Sequence, residues 1–274
     1  MSATLPASPP DLKCACAELW AHPVAQLLAG PALRPGGRAL TKRILDRLEL
    51  TSGVRALDVG SGTGATLVEL SDRGAAGIGV DYSAALAGLA HDAAPVAIGD
   101  GEALPFATGA FDAVLAECVL SALPDKHVAL SEVRRVLRTQ GRFVLTDMVV
   151  DGEFPEPLRS VAAWAACIGG ACTIDEYGAL LAAHGFSTTW RIDAGPELRA
   201  LVDQAQRRLA MLRGADMVGM VRVTDDVFAD TLTALGVPLT ADAVVQLADL
   251  VFDQVRLAVA GGRLGYVALI AVRR

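Results

Sequence analysis

Short apolar runs alternate with amphipathic stretches through the middle of the chain. Runs at 54–59, 77–80, 96–98, 113–117 and 142–148 are rich in small and β-branched apolar residues, and stretches with helical spacing, 63–73, 84–92 and 127–137, separate them. Brief apolar runs suit strands buried on both faces. Their alternation with helices predicts βαβ units, hence a parallel sheet covered on both sides. Ligands of such sheets sit beyond the carboxyl ends of the strands. Upstream, residues 1–12 are rich in Pro, Ser and Ala and predict a disordered tail. A helix follows over about 16–28, then a turn at Pro31, Pro35, Gly36 and Gly37. A second helix over 40–50 carries Leu40, Ile44, Leu45 and Leu48 on one face. Downstream, helices are expected at 156–167 and 174–184, a strand at 187–192, and helical stretches at about 196–213, 225–235 and 240–260. The apolar, β-branched segment 264–272 is expected to rejoin the sheet as an antiparallel edge pair with 187–192. The fold class is α/β: a mostly parallel sheet with an antiparallel C-terminal strand, plus a helical cover. Its parts are a tail and helical cap (1–39), a main domain (40–193), a helical insertion or cover (194–263) and the final strand (264–274).

Composition narrows the interior and the partners. Of 274 residues, 53% are hydrophobic but only 5% aromatic, so the core must be built from Ala, Val and Leu packed closely. The net charge of −7 comes from 24 Lys and Arg against 31 Asp and Glu, with no basic run, and this argues against nucleic acid as a partner. No apolar run approaches the roughly 20 residues that span a bilayer; the longest, 161–172, is broken by Gly169 and Gly170. At the start of the chain Pro6, Pro9, Pro10 and Asp11 interrupt the place of a secretory signal, so a cytoplasmic protein with no membrane association is expected. In that compartment the five cysteines, Cys14, Cys16, Cys118, Cys167 and Cys172, are not expected to form disulfides. Buried thiols, a soft-metal or metalloid site, and a reactive nucleophile remain open.

The stretch from Val54 to Thr66 reads as a strand ending in a glycine-rich turn that opens a helix. Gly60, Gly62 and Gly64 let a ligand approach the backbone, and the helix start offers free N–H groups to a carboxylate or a pyrophosphate. Gly60, Gly62 and Ala65 also fit the dinucleotide pattern G-x-G-x-x-A, and Asp81, at the end of the second run, could take the ribose hydroxyls of either kind of cofactor. Asp100, in Ile98-Gly-Asp-Gly-Glu-Ala-Leu-Pro-Phe106, is an acid followed by a small residue, which suits an adenine amino group. Taken together, Leu57-Asp-Val-Gly-Ser-Gly-Thr-Gly64, Gly79-Val-Asp81, Gly99-Asp100, Leu104-Pro-Phe106, Phe111-Asp112 and Val136 to Gly141 resemble the class I S-adenosylmethionine-dependent methyltransferases over about 100 residues. The resemblance implies a Rossmann-like sheet and S-adenosyl-L-methionine as cofactor. It also implies cofactor contacts from Asp58, Gly60, Gly62, Gly64, Asp81, Tyr82, Asp100, Gly101 and Glu117. Otherwise these glycines and acids only shape tight turns.

The acceptor side is read from the segment after the fourth run, Ala116-Glu-Cys-Val-Leu-Ser121. This segment, with Pro124-Asp-Lys126 and with Trp164-Ala-Ala-Cys-Ile-Gly-Gly-Ala171 farther on, resembles arsenite methyltransferases. The resemblance implies that Cys118 and Cys167 hold a trivalent metalloid and act as catalytic residues. Cys16 is proposed beside them as a third arsenic ligand; Cys14 is its rival, and neither follows from the resemblance. Thiolates suit soft arsenic and would leave its lone pair free to attack a sulfonium methyl, without a general base. Cys118 and Cys167 could equally be small core residues, as Cys172 is expected to be. Glu117 could serve as a base toward an O–H or N–H acceptor, the chemistry of the rival reading, methylation of a small organic molecule, or could equally cap a turn. A catalytically silent adenosyl-binding protein, with a partner or a homodimer through 196–262, and a nicotinamide-dependent dehydrogenase are further alternatives. Trp20, Trp164 and Tyr177 could line an apolar acceptor pocket or belong to the core. His22, His91, His127 and His184 lie on separate helices and are read as structural or solvated. The segment 28–41 is read as a lid or as a plain turn.

Overall fold

A computed structural model describes residues 9–48, 50–152, 167–214 and 241–274. Three helices open the chain: α1 (Pro9–Ala21), α2 (Pro23–Ala29) and α3 (Gly37–Leu48). The one helix expected over 16–28 is therefore two. Pro23 has no N–H to continue α1 but is tolerated at the first position of a helix, and His22 caps that start by accepting from Val24 N through Nδ1 at 3.2 Å. Part of the expected tail is helical as well. Residues 9–12 are helical because α1 is held by tertiary contacts, with Leu12 buried and Lys13 paired with acids far along the chain. In α3 the predicted face is the buried one: Leu40, Ile44, Leu45 and Leu48 all point inward.

The central pattern follows as β1 (Arg55–Val59), α4 (Ala65–Ser71), β2 (Ala76–Asp81), α5 (Ala84–Ala90), β3 (Val96–Ile98), β4 (Phe111–Glu117), a 3-10 turn (Leu120–Ala122), α6 (Lys126–Val136) and β5 (Leu137–Val150). Then come α7 (Ile174–Ala183), β6 (Phe186–Asp193), α8 (Gly195–Gly214), α9 (Ala241–Ala260) and β7 (Leu264–Arg273). Thr173 and Glu176 start α7 with a reciprocal capping box. The expected helix at 156–167 lies outside the described residues except for Cys167. Trp164 and the expected helix at 225–235 lie outside them altogether.

The seven strands run in the order β3-β2-β1-β4-β5-β7-β6. Pairings from β3 through to β5 are parallel, and β7 is antiparallel to both its neighbours, from Arg142↔Val272 to Val150↔Leu264 on one side and along β6 on the other. The final strand thus enters the sheet between β5 and β6 and leaves β6 at the edge. Successive residues of each strand feed opposite faces. Ala56, Val144, Ala268 and Ile270 belong to one buried cluster, whereas Leu57, Phe143, Leu145 and Leu269 belong to the other. Two such layers hold the sheet rigid and bring the carboxyl ends of β1, β2, β4 and β5 together along one rim. Over that rim lie α1 and the turn after α2. A small cluster of Leu28, Ala205 and Leu209, with Val24 and Phe252 against it, ties α2 to α8 and α9, and Arg208 Nη1 donates to the Leu28 carbonyl at 2.8 Å.

Candidate active site

The rim encloses a cleft of about 900 Å³, part of it open to solvent. Its floor at one end is the turn after β1. Gly60, Gly62 and Gly64 all have positive φ (67°, 54° and 82°), a conformation that a side chain would strain. Space is short as well, since a Cβ on Gly60 would come within 2.5 Å of Val119 Cγ2. Asp81, at the tip of β2, secures this turn by accepting from Gly62 N at 2.7 Å and from Ser83 N at 2.8 Å. Burial raises its pKa, and those two N–H donors oppose the rise. Beneath the turn, the buried Asp58 Oδ2 and Ser61 Oγ have no hydrogen-bond partner. Burial and the Glu117 charge push the Asp58 carboxyl well above the usual carboxylate range. Asp100 and Gly101 line the same end of the cleft, and Tyr82 is half exposed at its mouth.

Two contacts at this end join residues remote in sequence. Lys13 of α1 donates to Asp100 Oδ2 at 2.7 Å and to Glu102 Oε2 at 2.6 Å. Glu117 is buried, with Oε1 accepting from Arg34 Nη2 at 3.0 Å and from Thr66 Oγ1 at 2.8 Å, and with Thr41 Oγ1 at 3.0 Å from both of its oxygens. Glu117, read from the sequence as a general base, lines the cleft, but its carboxylate is engaged by a guanidinium and two hydroxyls as an ion-pair partner.

At the other end the cleft is lined by Cys16, Cys118 and Cys167. Their sulfurs lie within hydrogen-bond reach, with Cys167 between the other two. The neighbouring Cys118 and Cys16 side chains hold the Cys167 thiol well below its ordinary range against the opposing effect of burial. The thiols of Cys16 and Cys118 are raised, foremost by their bonds to Cys167 and then by burial. Cys118 and Cys167 also have positive φ, 62° and 63°, a conformation non-glycine residues seldom adopt and one that marks sites where a side chain must be aimed. The Cys118 N–H donates to the Thr146 carbonyl at 2.6 Å, which pins this turn to β5. The Cys167 thiol also donates to the Cys118 carbonyl at 3.3 Å. Among the described residues, no three His, Cys, Asp or Glu side chains are arranged to hold a metal ion. Cys14 is exposed, and Cys172 is partly buried near the end of β5.

Residues 57–145 match the family described as "Methyltransferase domain". The match covers about a third of this chain. Among curated relatives, a demethylmenaquinone methyltransferase of Corynebacterium efficiens is 36% identical over 111 residues, 40% of this chain and 48% of its own length. An arsenite methyltransferase of Aquipseudomonas alcaligenes is 31% identical over 166 residues, 54% of this chain and 48% of its own length. The chain thus spans about half the length of the curated relatives it matches. Among solved structures, the [4+2]-cyclase SpnF superposes with a TM-score of 0.70 at 22% identity, over 99% of this chain and 98% of that one. This likeness is of the fold alone.

Several residues around the matched segment were not singled out from the sequence. Arg34 and Lys13 come from the N-terminal segments and reach the domain only in three dimensions. Asp147 is the one acid inside the apolar run of β5, a signal that could have marked it. It is fully buried, accepting from Ser121 N at 2.8 Å, Ser121 Oγ at 2.5 Å and Met148 N at 2.8 Å, and burial foremost, then the Cys167 charge, pushes its pKa up to about 7. Of the aromatic candidates, Trp20 lines the cleft, whereas Tyr177 is fully buried in the core. His127 and His184 meet across α6 and α7, Nδ1 to Nε2 at 3.1 Å, away from the cleft. No helix among the described residues is long and apolar enough to cross a membrane.

Proposed function

We propose that this chain is an S-adenosylmethionine-dependent methyltransferase of a small-molecule acceptor, and that the acceptor is trivalent arsenic held by Cys16, Cys118 and Cys167. The fit of the cofactor rests on the glycine turn, where added Cβ atoms would close the cradle, and on Asp58 Oδ2 and Ser61 Oγ, buried acceptors that await donors from an amino-acid end. Asp81 keeps lone pairs free beside the two it gives to backbone N–H groups, as a partner for ribose hydroxyls must. When bound, S-adenosylmethionine supplies an electrophilic methyl group on a sulfonium. The residues then have to hold the acceptor in line with that methyl, exclude water and leave the acceptor's electron pair free.

One observation carries the arsenic reading: three thiols from positions 16, 118 and 167 meet at the end of the cleft next to the glycine turn. Each thiol that displaces a hydroxyl from arsenite releases one water, and three sulfur bonds leave the arsenic lone pair unused. No base is required. That agrees with the enclosure of Glu117 and disfavours an O–H or N–H acceptor. The similarity to the arsenite methyltransferase extends beyond the matched domain and is consistent with the same acceptor. The test is incubation of the reduced protein with S-adenosylmethionine and arsenite, with methylated arsenic read by mass spectrometry. Cys118→Ser and Cys167→Ser are each expected to lower the rate by at least about 100-fold, because a hydroxyl is a hard, neutral ligand where arsenic needs a soft one. Unchanged turnover in both variants would remove the arsenic reading and leave an organic acceptor.

A further inference from the structure

Lys13, Cys16, Ala17 and Trp20 all line the cleft, and their spacing of three, one and three residues puts them on one face of α1. That face reaches two places. Lys13 sits at the adenosyl end, bridging Asp100 and Glu102, whereas Cys16 and Trp20 sit at the thiol end against Cys167. Seven residues of helix separate the extremes, about 10 Å along the axis, and a helix of this length moves as a unit. Cys118 and Cys167 belong to turns locked by left-handed backbone and, for Cys118, by a bond to β5. Cys16 stands instead on a peripheral helix.

As they stand, the three cysteines are neighbours at one end of the cleft and are not gathered to hold one atom. Gathering them requires a sulfur to move, and Cys16 stands on a helix outside the sheet, whereas Cys118 is pinned to β5. Any such shift carries Lys13 with it, because both side chains leave the same face of one helix. Lys13 occupies both oxygens of Asp100, Oδ1 at 2.9 Å and Oδ2 at 2.7 Å, so its position governs how that carboxylate meets a ligand at the adenosyl end.

We propose that α1 couples the two ends of the cleft through Lys13 and Cys16, so that an adenosyl cofactor and a thiophilic trivalent acceptor bind cooperatively. The proposal rests on the reading of the three cysteines as the acceptor site. Coupling of this kind is reciprocal: arsenite strengthens cofactor binding by the factor by which cofactor strengthens arsenite binding.

The test is calorimetric titration of S-adenosylhomocysteine into the reduced 274-residue chain, with and without saturating arsenite. Arsenite is expected to tighten binding by about 10-fold, within the usual range of such couplings. In Lys13→Met the enhancement is expected to fall below about 2-fold while arsenite still binds, and Lys13→Arg is expected to restore most of it. Hydrogen exchange gives an independent readout: the amides of α1 are expected to gain protection when arsenite binds alone. Enhancement that persists in Lys13→Met would overturn the coupling through α1, as would arsenite binding that leaves S-adenosylhomocysteine affinity unchanged. Failure of arsenite to bind at all would overturn the acceptor reading and the coupling with it, and the two failures are distinguished by the arsenite titration itself.

Discussion

The two ends of the cleft are built differently. At the adenosyl end, Gly60, Gly62, Gly64 and Asp81 lie within 22 positions of one another, at the ends of two adjacent parallel strands, and the turn is tied off by a bond from Gly62 N to Asp81. At the thiol end, Cys16, Cys118 and Cys167 come from a peripheral helix, from the turn after β4 and from a turn just before α7. The first end is a local structure repeated wherever a strand, glycine turn and helix are joined. The second exists only when three distant segments pack correctly. A site of the first kind tolerates change elsewhere in the chain, and a site of the second kind can be altered without disturbing the first.

Glu117 and Cys118 stand at the seam between the ends, and the largest effect is expected there. Glu117→Gln leaves the buried Arg34 guanidinium without its counter-charge, and urea denaturation should show a loss of about 3–5 kcal/mol. A loss below about 1 kcal/mol would mean that the pair is dispensable and that the two ends are joined by something else.

The next effect separates the ends. Gly60→Ala places a Cβ 2.5 Å from Val119 in backbone with φ of 67°, and S-adenosylhomocysteine affinity should fall by about 100-fold or more, about 2.7 kcal/mol. Arsenite binding should survive in that variant. If both ligands are lost together while the circular dichroism spectrum stays native, the ends are one site and the comparison fails.

A smaller effect sharpens the account of the thiol end. The Asp147 carboxyl has its pKa raised from 3.8 to about 7 in the folded chain, so its contribution to stability is fully present below pH 3.8 and is lost as pH rises through 7. Between pH 5 and 8 the protein should lose about 2–3 kcal/mol from this group, and Asp147→Asn should flatten that part of the stability curve. Parallel curves for the two proteins would show that Asp147 is ionised throughout. The smallest effect is expected at Tyr82, which is half exposed and whose hydroxyl reaches Cys14 Sγ only at 4.0 Å. Tyr82→Phe should change S-adenosylhomocysteine affinity by less than about 3-fold, roughly the value of one exposed hydrogen bond. A loss of 30-fold would give Tyr82 a direct contact with the cofactor.

Much of the framework follows from the chain read residue by residue. The alternation of apolar runs and amphipathic stretches determines the parallel strands, because a strand buried on both faces has to be apolar throughout and a helix lying on it has to be apolar on one side. The glycine turn is legible for the same local reason: positive φ at three alternate positions can be met cheaply only by glycine. Even the break at Pro23 was present in the letters, though the apolar spacing around it read as one helix. What only the tertiary structure decided is how the remote segments meet. The enclosure of Glu117 by Arg34, Thr41 and Thr66, the grip of Lys13 on Asp100, and the meeting of Cys16 with Cys118 and Cys167 all join residues separated by tens of positions. Periodicity carries no information about such pairs, since a hydrogen bond or a thiol contact across the fold leaves no spacing in the chain, and its partners are set by the packing of whole elements against one another.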